Sequence, residues 1–238
     1  MSSISSITKM LQSSPAKACL AWKDRTLSRQ ELWDDYQAAR NWIVQNNIQA
    51  GDPVILIGDY SPQCISLFLA LIERKVILAP LARTTVANAK HLISIVAPVW
   101  IVTVSPDDHI KLEKLKGGEE KPFYSTLQKR KTPGLILFTS GSTGTPKAVI
   151  HDARRLLEKF KNPRPSMVIL NFLMFDHWGG LNTLLHGLSS GSLVVLPEKR
   201  NPEEVCHLIE QHKIELLPST PTFLNMLLMS RTYENYDL

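Results

Sequence analysis

Two continuous apolar runs, PVILIG from Pro53 and VILAPL from Val76, bracket a segment that opens with Ser61-Pro62 and continues CISLFLALIER. Runs of this length, rich in Val, Ile and Leu without polar alternation, read as strands buried on both faces. Serine directly before proline supplies an N-cap and a first-turn residue, which predicts a helix from Pro62. Strand, helix and strand in this order force a crossover connection, and a chain that repeats it builds parallel sheets covered by helices.

The alternation does repeat. Ser28 and Glu31 have capping-box spacing, and Leu32, Tyr36, Ala39 and Ile43 recur at helical period behind them. A turn at Ala50–Asp52 leads into PVILIG. Further along come a helix near Val86–Val96, a strand VWIVTV from Val99, a strand LILFTS over Leu135–Ser140, and the strand-like runs AVIH and SMVILNFLMF. A helix around Leu181–Leu188, a strand SLVVLP, a helix near Glu203–His212, a strand IELLPS and a helix from Pro221 complete the series. The predicted class is α/β, with mainly parallel sheets flanked by helices. At 238 residues, 44% hydrophobic and 21% charged, the chain is long and apolar enough to bury a core without disulfides or a structural metal. Pro106–Pro133 is polar, holds Gly117 and Gly118 and has no clear period, so it is expected to be a linker.

The net charge of +5 suits an anionic ligand. Much of the basic excess, from Lys111 to Lys131, shares one polar stretch with Glu113, Glu119 and Glu120 and lacks interleaved aromatics, so no nucleic-acid surface is expected. Cys19, Cys64 and Cys206 have neither disulfide nor zinc spacing, and His91, His109, His186, His207 and His212 have none either. No apolar run approaches the ~18 residues of a membrane span, and the expected location is the cytoplasm.

The chemistry concentrates in LILFTSGSTGTPKAVIHD, Leu135–Asp152. An apolar strand runs into Thr139, Ser140, Gly141, Ser142, Thr143, Gly144, Thr145, Pro146 and Lys147. Glycines let successive N–H groups point into one concavity, hydroxyls add donors and lysine adds a cation, a set suited to phosphate oxygens. It is not a Walker A loop, because Pro146 precedes Lys147 and Ala148 follows it, and Rossmann spacing is absent. GLSSG at Gly187–Gly191 matches a nucleophile elbow only in letters; it follows a helix and precedes a strand, so its glycines read as helix-end and turn residues.

FTSGSTGTPKAVIH resembles the phosphate-binding signature of the adenylate-forming enzymes, which include acyl-CoA synthetases, beetle luciferases and the adenylation domains of nonribosomal peptide synthetases. LSRQELWDDYQAAR from Leu27 resembles an early segment of that family. LALIERKVILAPL resembles another, with Arg74 and Lys75 in place of its small residues, a departure expected to stiffen or re-aim one helix-to-strand turn. NFLMFDHWGGLNTLLHGLSSG, Asn171–Gly191, resembles the region that delivers an aromatic-His pair to the acyl pocket. Counted without gaps to Gly191, His177 takes the place of the pocket histidine, with Gly180 beside it. Asp176 is the alternative pocket residue, since in amino-acid-activating relatives an Asp after Phe holds the substrate ammonium.

The resemblance implies that a carboxylate attacks the α-phosphorus of ATP to give an acyl-adenylate and pyrophosphate, followed by transfer to the thiol of coenzyme A or of a carrier protein. In that chemistry the loop would hold the β- and γ-phosphates, Mg²⁺ would bridge oxygens, Lys147 would serve as counter-charge, and Thr139 would lie nearest the α-phosphate. The family's Tyr-Gly-x-Thr-Glu segment, ribose-binding Asp and lysine-bearing C-terminal domain have no counterpart here, so residues 1–238 are expected to be the incomplete N-terminal domain. The alternative is a catalytically incomplete nucleotide-binding or interaction module. Exposed apolar surface near the last helix is expected of the first reading and not of the second.

Overall fold

A computed structural model of the chain describes residues 4–116, 121–139, 147–162 and 164–238, and for 86–89 the backbone alone. In chain order its elements are α1 (Ser5–Gln12), β1 (Ala18–Trp22), β2 (Arg25–Ser28), α2 (Arg29–Gln45), β3 (Pro53–Gly58), α3 (Pro62–Arg74), β4 (Ile77–Ala82), α4 (Ala89–Val96), β5 (Trp100–Val104) and β6 (Ile110–Lys114). They continue with α5 (Pro122–Lys129), β7 (Gly134–Thr139), β8 (Lys147–Asp152), α6 (Ala153–Leu157), β9 (Val168–Leu170), α7 (Trp178–Ser190), β10 (Leu193–Leu196), α8 (Pro202–His212) and α9 (Pro221–Ser230).

Among the described residues the strands form two sheets, ordered β2-β1-β10-β9 and β6-β5-β3-β4-β7-β8. Pairings inside each sheet are parallel, and the edge strands β2, β6 and β8 are antiparallel. Strand parity explains the layering. Val54, Leu56, Leu78, Val102, Leu135 and Leu137 point from the six-stranded sheet into one core shared with α1, α2, α3, α7 and the inner face of the other sheet. Ile55, Ile57, Ile77, Leu81 and Ile101 point the opposite way, against α4 and α5. Ala21, Leu170 and Val195 form a third core with Val205 of α8 and Phe223 of α9. The result is five layers, helix, sheet, helix, sheet, helix. α3 lies at the centre, buried from Cys64 to Ile72, which is why its sequence is apolar all round.

Local signals act as expected. Ser28 Oγ accepts from the Glu31 N–H at 3.2 Å while Glu31 Oε2 accepts from the Ser28 N–H at 2.7 Å, a closed capping box. Ser61 caps α3 by accepting from the Cys64 N–H. Gly191 ends α7 with φ of 68°, the left-handed cap that glycine adopts without strain. At the corresponding end of α3, Lys75 adopts φ of 64° itself. Arg74 reaches back to the Ile48 carbonyl at 2.9 Å and so braces this turn against the one before β3.

Three expectations are corrected. The stretch 106–133 contributes β6 and α5 instead of forming a linker: Ile110 and Leu112 pack on the core while Lys111 and Glu113 form the wet face of an edge strand, and these charges, with Lys114 at the strand end, concealed the alternation. IELLPS makes one isolated bridge, Ile169 with Leu216, because Pro218 lacks an N–H and the Val168 N–H turns to the Glu215 carboxylate. SMVILNFLMF is strand only over β9, after which it turns into the site described below. α9 exposes Leu224, Met226, Leu228 and Met229, the apolar surface anticipated near the last helix. No helix among the described residues is long and apolar enough to cross a membrane.

Candidate functional site

Parallel strands present their carboxyl ends to one side, and that rim is where open α/β sheets place ligands. Here β4 ends at Ala82, β7 at Thr139, and the chain leaving β9 runs through 171–177 before α7 starts. Phe175 anchors this last segment. It is fully buried and meets Tyr60 and Phe68 edge-on, with ring centroids 5.3 and 6.0 Å apart. The Tyr60 hydroxyl donates to the Met174 carbonyl at 3.3 Å. With Phe175 pinned inward, the next two residues are delivered to the rim.

Asp176 is buried and His177 stands outside it with 65% of its side chain exposed. Asp176 Oδ1 lies 2.7 Å from His177 Nδ1. Asp176 Oδ2 accepts from Thr85 Oγ1 at 2.6 Å and from the Ala82 N–H at 3.3 Å. Burial pushes the Asp176 carboxyl upward, but the hydrogen bonds from His177, Thr85 and Ala82 outweigh it and hold the group below the usual carboxylate range. The hydrogen bond to Asp176 raises the His177 pKa, against a smaller opposing effect of burial. Pairing at Nδ1 leaves Nε2 without a partner among the described residues.

A cavity of about 330 Å³ opens here, lined by Leu137, Phe138, Thr139, His151, Leu156, Asp176, His177 and Trp178. The volume lies in the range of small-molecule pockets, with mostly carbon walls and a few polar groups. Thr139, the first residue of the phosphate-type loop, and the Asp176–His177 pair therefore share one cavity although they come from different sheets. Thr139 and Lys147 are cross-strand partners in the β7–β8 ladder, so the loop leaves and returns at one point of the rim. Ser140, Gly141, Ser142, Thr143, Gly144 and Thr145 lie outside the described residues.

Gly180 is not among the cavity-lining residues. A Cβ there would stand 2.3 Å from the Met174 carbonyl oxygen and 2.4 Å from the Tyr60 hydroxyl, so the glycine lets α7 close on the backbone that carries Asp176. Its expected place in the pocket is corrected to a packing role behind it. Residues that sequence reasoning missed are Thr85, His151, Leu156 and Trp178. His151 shares a strand face with Lys147 through the period of two, and this alternation was the available signal. Nothing local marks Thr85, whose partner is distant in sequence. Trp178 carries the Lys159 ammonium 4.8 Å from its ring centroid, a cation–π contact at the cavity wall.

The family model for AMP-binding enzymes matches residues 8–238, and the chain belongs to that family. It is similar to D-alanine--D-alanyl carrier protein ligase of Bacillus cereus (strain B4264), 25% identical over 98% of this chain and 51% of the relative, and to the same-named ligase of Bacillus mycoides (strain KBAB4), 24% identical over the same shares. The chain thus spans about half the length of the curated relatives it matches. The fold is that of the N-terminal domain of FACL13 from Mycobacterium tuberculosis, with TM-score 0.79 and 15% identity over 99% of this chain and 67% of that one. It also matches the Klebsiella oxytoca NpsA N-terminal subdomain in complex with 3-hydroxybenzoyl-AMSN, with TM-score 0.71 and 18% identity over 91% of this chain and 59% of that one.

Proposed function

We propose that this chain supplies the ATP-phosphate loop and the acid-binding wall of an AMP-forming ligase, which joins a carboxylic acid to the adenylyl group of ATP and passes the acyl group to a thiol of coenzyme A or a carrier protein. The observation that carries the reading is the shared cavity: Thr139, where the loop begins, and His177, at the pocket-histidine position, line the same walls. In the proposed reaction a carboxylate oxygen attacks the α-phosphorus and pyrophosphate leaves, so protein groups act by positioning and by neutralising charge. The mostly carbon walls would hold the body of the acid, while Thr139 and Lys147 flank the phosphates at the rim. The carrier-protein ligases similar to this chain support a carrier thiol as the acceptor.

Mg²⁺ belongs to the proposal as a companion of the nucleotide. The described residues include no group of three or more His, Cys, Asp or Glu side chains that could hold a metal, so the phosphates of ATP would be its principal ligands. Residues 1–238 are taken as the N-terminal part of the large adenylation domain. The apolar face of α9 and the half-length match to the relatives support that assignment.

The test is MgATP binding by calorimetry to the wild-type chain and to Lys147→Ala. Losing a charge-assisted bond costs about 1.5–3 kcal/mol, so the variant is expected to bind roughly 10- to 150-fold more weakly. Equal affinity would remove Lys147 and its loop from the phosphate site.

A further inference from the structure

Asp176 is the only carboxylate among the described residues that line the cavity, and it already holds three hydrogen bonds. We propose that Thr85, the Ala82 N–H and His177 together withdraw Asp176 from ligand binding, so that this cavity selects carboxylic acids without an α-ammonium group. The proposal deepens the reading above, on which it rests, by naming the substrate class.

An ammonium needs a carboxylate or several carbonyl oxygens in exchange for its water, and bringing one into a cavity without them is costly. Three of the roughly four lone-pair sites of Asp176 are already taken, which leaves one on the buried Oδ1 for an ammonium. Oδ2 accepts twice, from Thr85 Oγ1 and the Ala82 N–H, and Oδ1 is paired with His177 Nδ1. The residue is 5% exposed, so little of it reaches the cavity it helps to line. What it presents to a ligand through His177 is an imidazole whose protonation the pair favours, which repels a cation. The other charged or titratable groups at these walls, His151 and the Lys159 ammonium over Trp178, offer no negative charge. Leu137, Phe138, Leu156 and Trp178 supply carbon surface that suits an alkyl or aryl acid. D-alanine ligases similar to this chain are named for an amino acid, and the committed carboxylate is the point at which this cavity parts from that chemistry.

The test compares two non-hydrolysable ligands that differ only in the ammonium, propanoyl sulfamoyladenosine and D-alanyl sulfamoyladenosine, titrated calorimetrically into the wild-type chain. The expected result is propanoyl binding at least about tenfold tighter, the scale of one unpaired polar group. D-alanyl binding as tight or tighter would overturn the proposal while leaving the ligase reading intact. If neither ligand binds, the acid-site reading itself fails and the proposal falls with it. Thr85→Val then reads the positioning role. Freed from Thr85, Oδ2 can turn to an ammonium, and the preference for propanoyl is expected to shrink by about threefold or more, whereas Thr85→Ser keeps the donor and the wild-type ratio. An unchanged ratio in a folded Thr85→Val chain would remove Thr85 from the device.

Discussion

Thr85 Oγ1 donates to Asp176 Oδ2 across 2.6 Å, tying the chain that follows β4 in the six-stranded sheet to the segment that leaves β9 in the four-stranded one. The same carboxylate orients His177, so the imidazole at the rim is set by a residue from the opposite sheet. Removing the hydroxyl leaves a buried charged oxygen with one donor fewer. Thr85→Val is expected to destabilise the chain by about 1–3 kcal/mol, read from urea unfolding, whereas a midpoint equal to wild type would mean that the bond carries no weight.

The paired charges predict a pH signature. His177 has its pKa raised by Asp176, so its contribution is complete below the ordinary histidine range and is lost as pH climbs through the raised value. The Asp176 carboxyl is held low, so its contribution is present above the ordinary carboxylate range and lost as pH falls through the lowered value. The stability gap between wild type and Asp176→Asn should therefore be widest between about pH 4 and 6.5, be lost at lower pH, and shrink at higher pH to the part that the Thr85 and Ala82 bonds carry. NMR titration of His177 should show its pKa falling in Asp176→Asn. An identical titration in both chains would contradict the pairing.

Lys75 occupies the left-handed region at the end of α3 with an exposed side chain. A non-glycine residue there carries strain that exceeds the added chain entropy of glycine. Lys75→Gly is expected to stabilise the chain by about 0.5–1 kcal/mol as judged by denaturant midpoint, and a loss of stability would show that the lysine makes a compensating contact.

Gly180→Ala is expected to cost about 1–3 kcal/mol, because the new methyl meets the Met174 carbonyl and the Tyr60 hydroxyl, neither of which can retreat without moving the 171–177 segment. The substitution should also weaken any ligand of the neighbouring cavity. Wild-type stability in the unfolding curve would place the glycine in open space.

Legibility followed the range of the interaction. The capping box at Ser28, the Ser61 cap and the buried runs at Pro53 and Val76 are written locally, and each fell where the pattern places it. β6 was hidden because an edge strand advertises its wet face, and IELLPS looked like a strand because composition does not reveal how many partners a strand will have. At the site, Asp176 and His177 stood out through the FDHWGG segment, and Thr139 and Lys147 through the glycine-rich loop. Their meeting in one cavity, and the part played by Thr85, depend on how two sheets stack, which no local period encodes.

The most direct test of the central claim, that one cavity joins the phosphate loop to the acid wall, is the affinity of a single ligand with both ends. Benzoyl sulfamoyladenosine, whose sulfamoyl group stands for the α-phosphate, would be titrated into wild type, Thr139→Val and His177→Ala. Shared walls predict that each substitution weakens binding about tenfold or more, on the scale of one charged contact. Binding that is lost in one variant and unchanged in the other would place the two ends in separate sites and contradict the account.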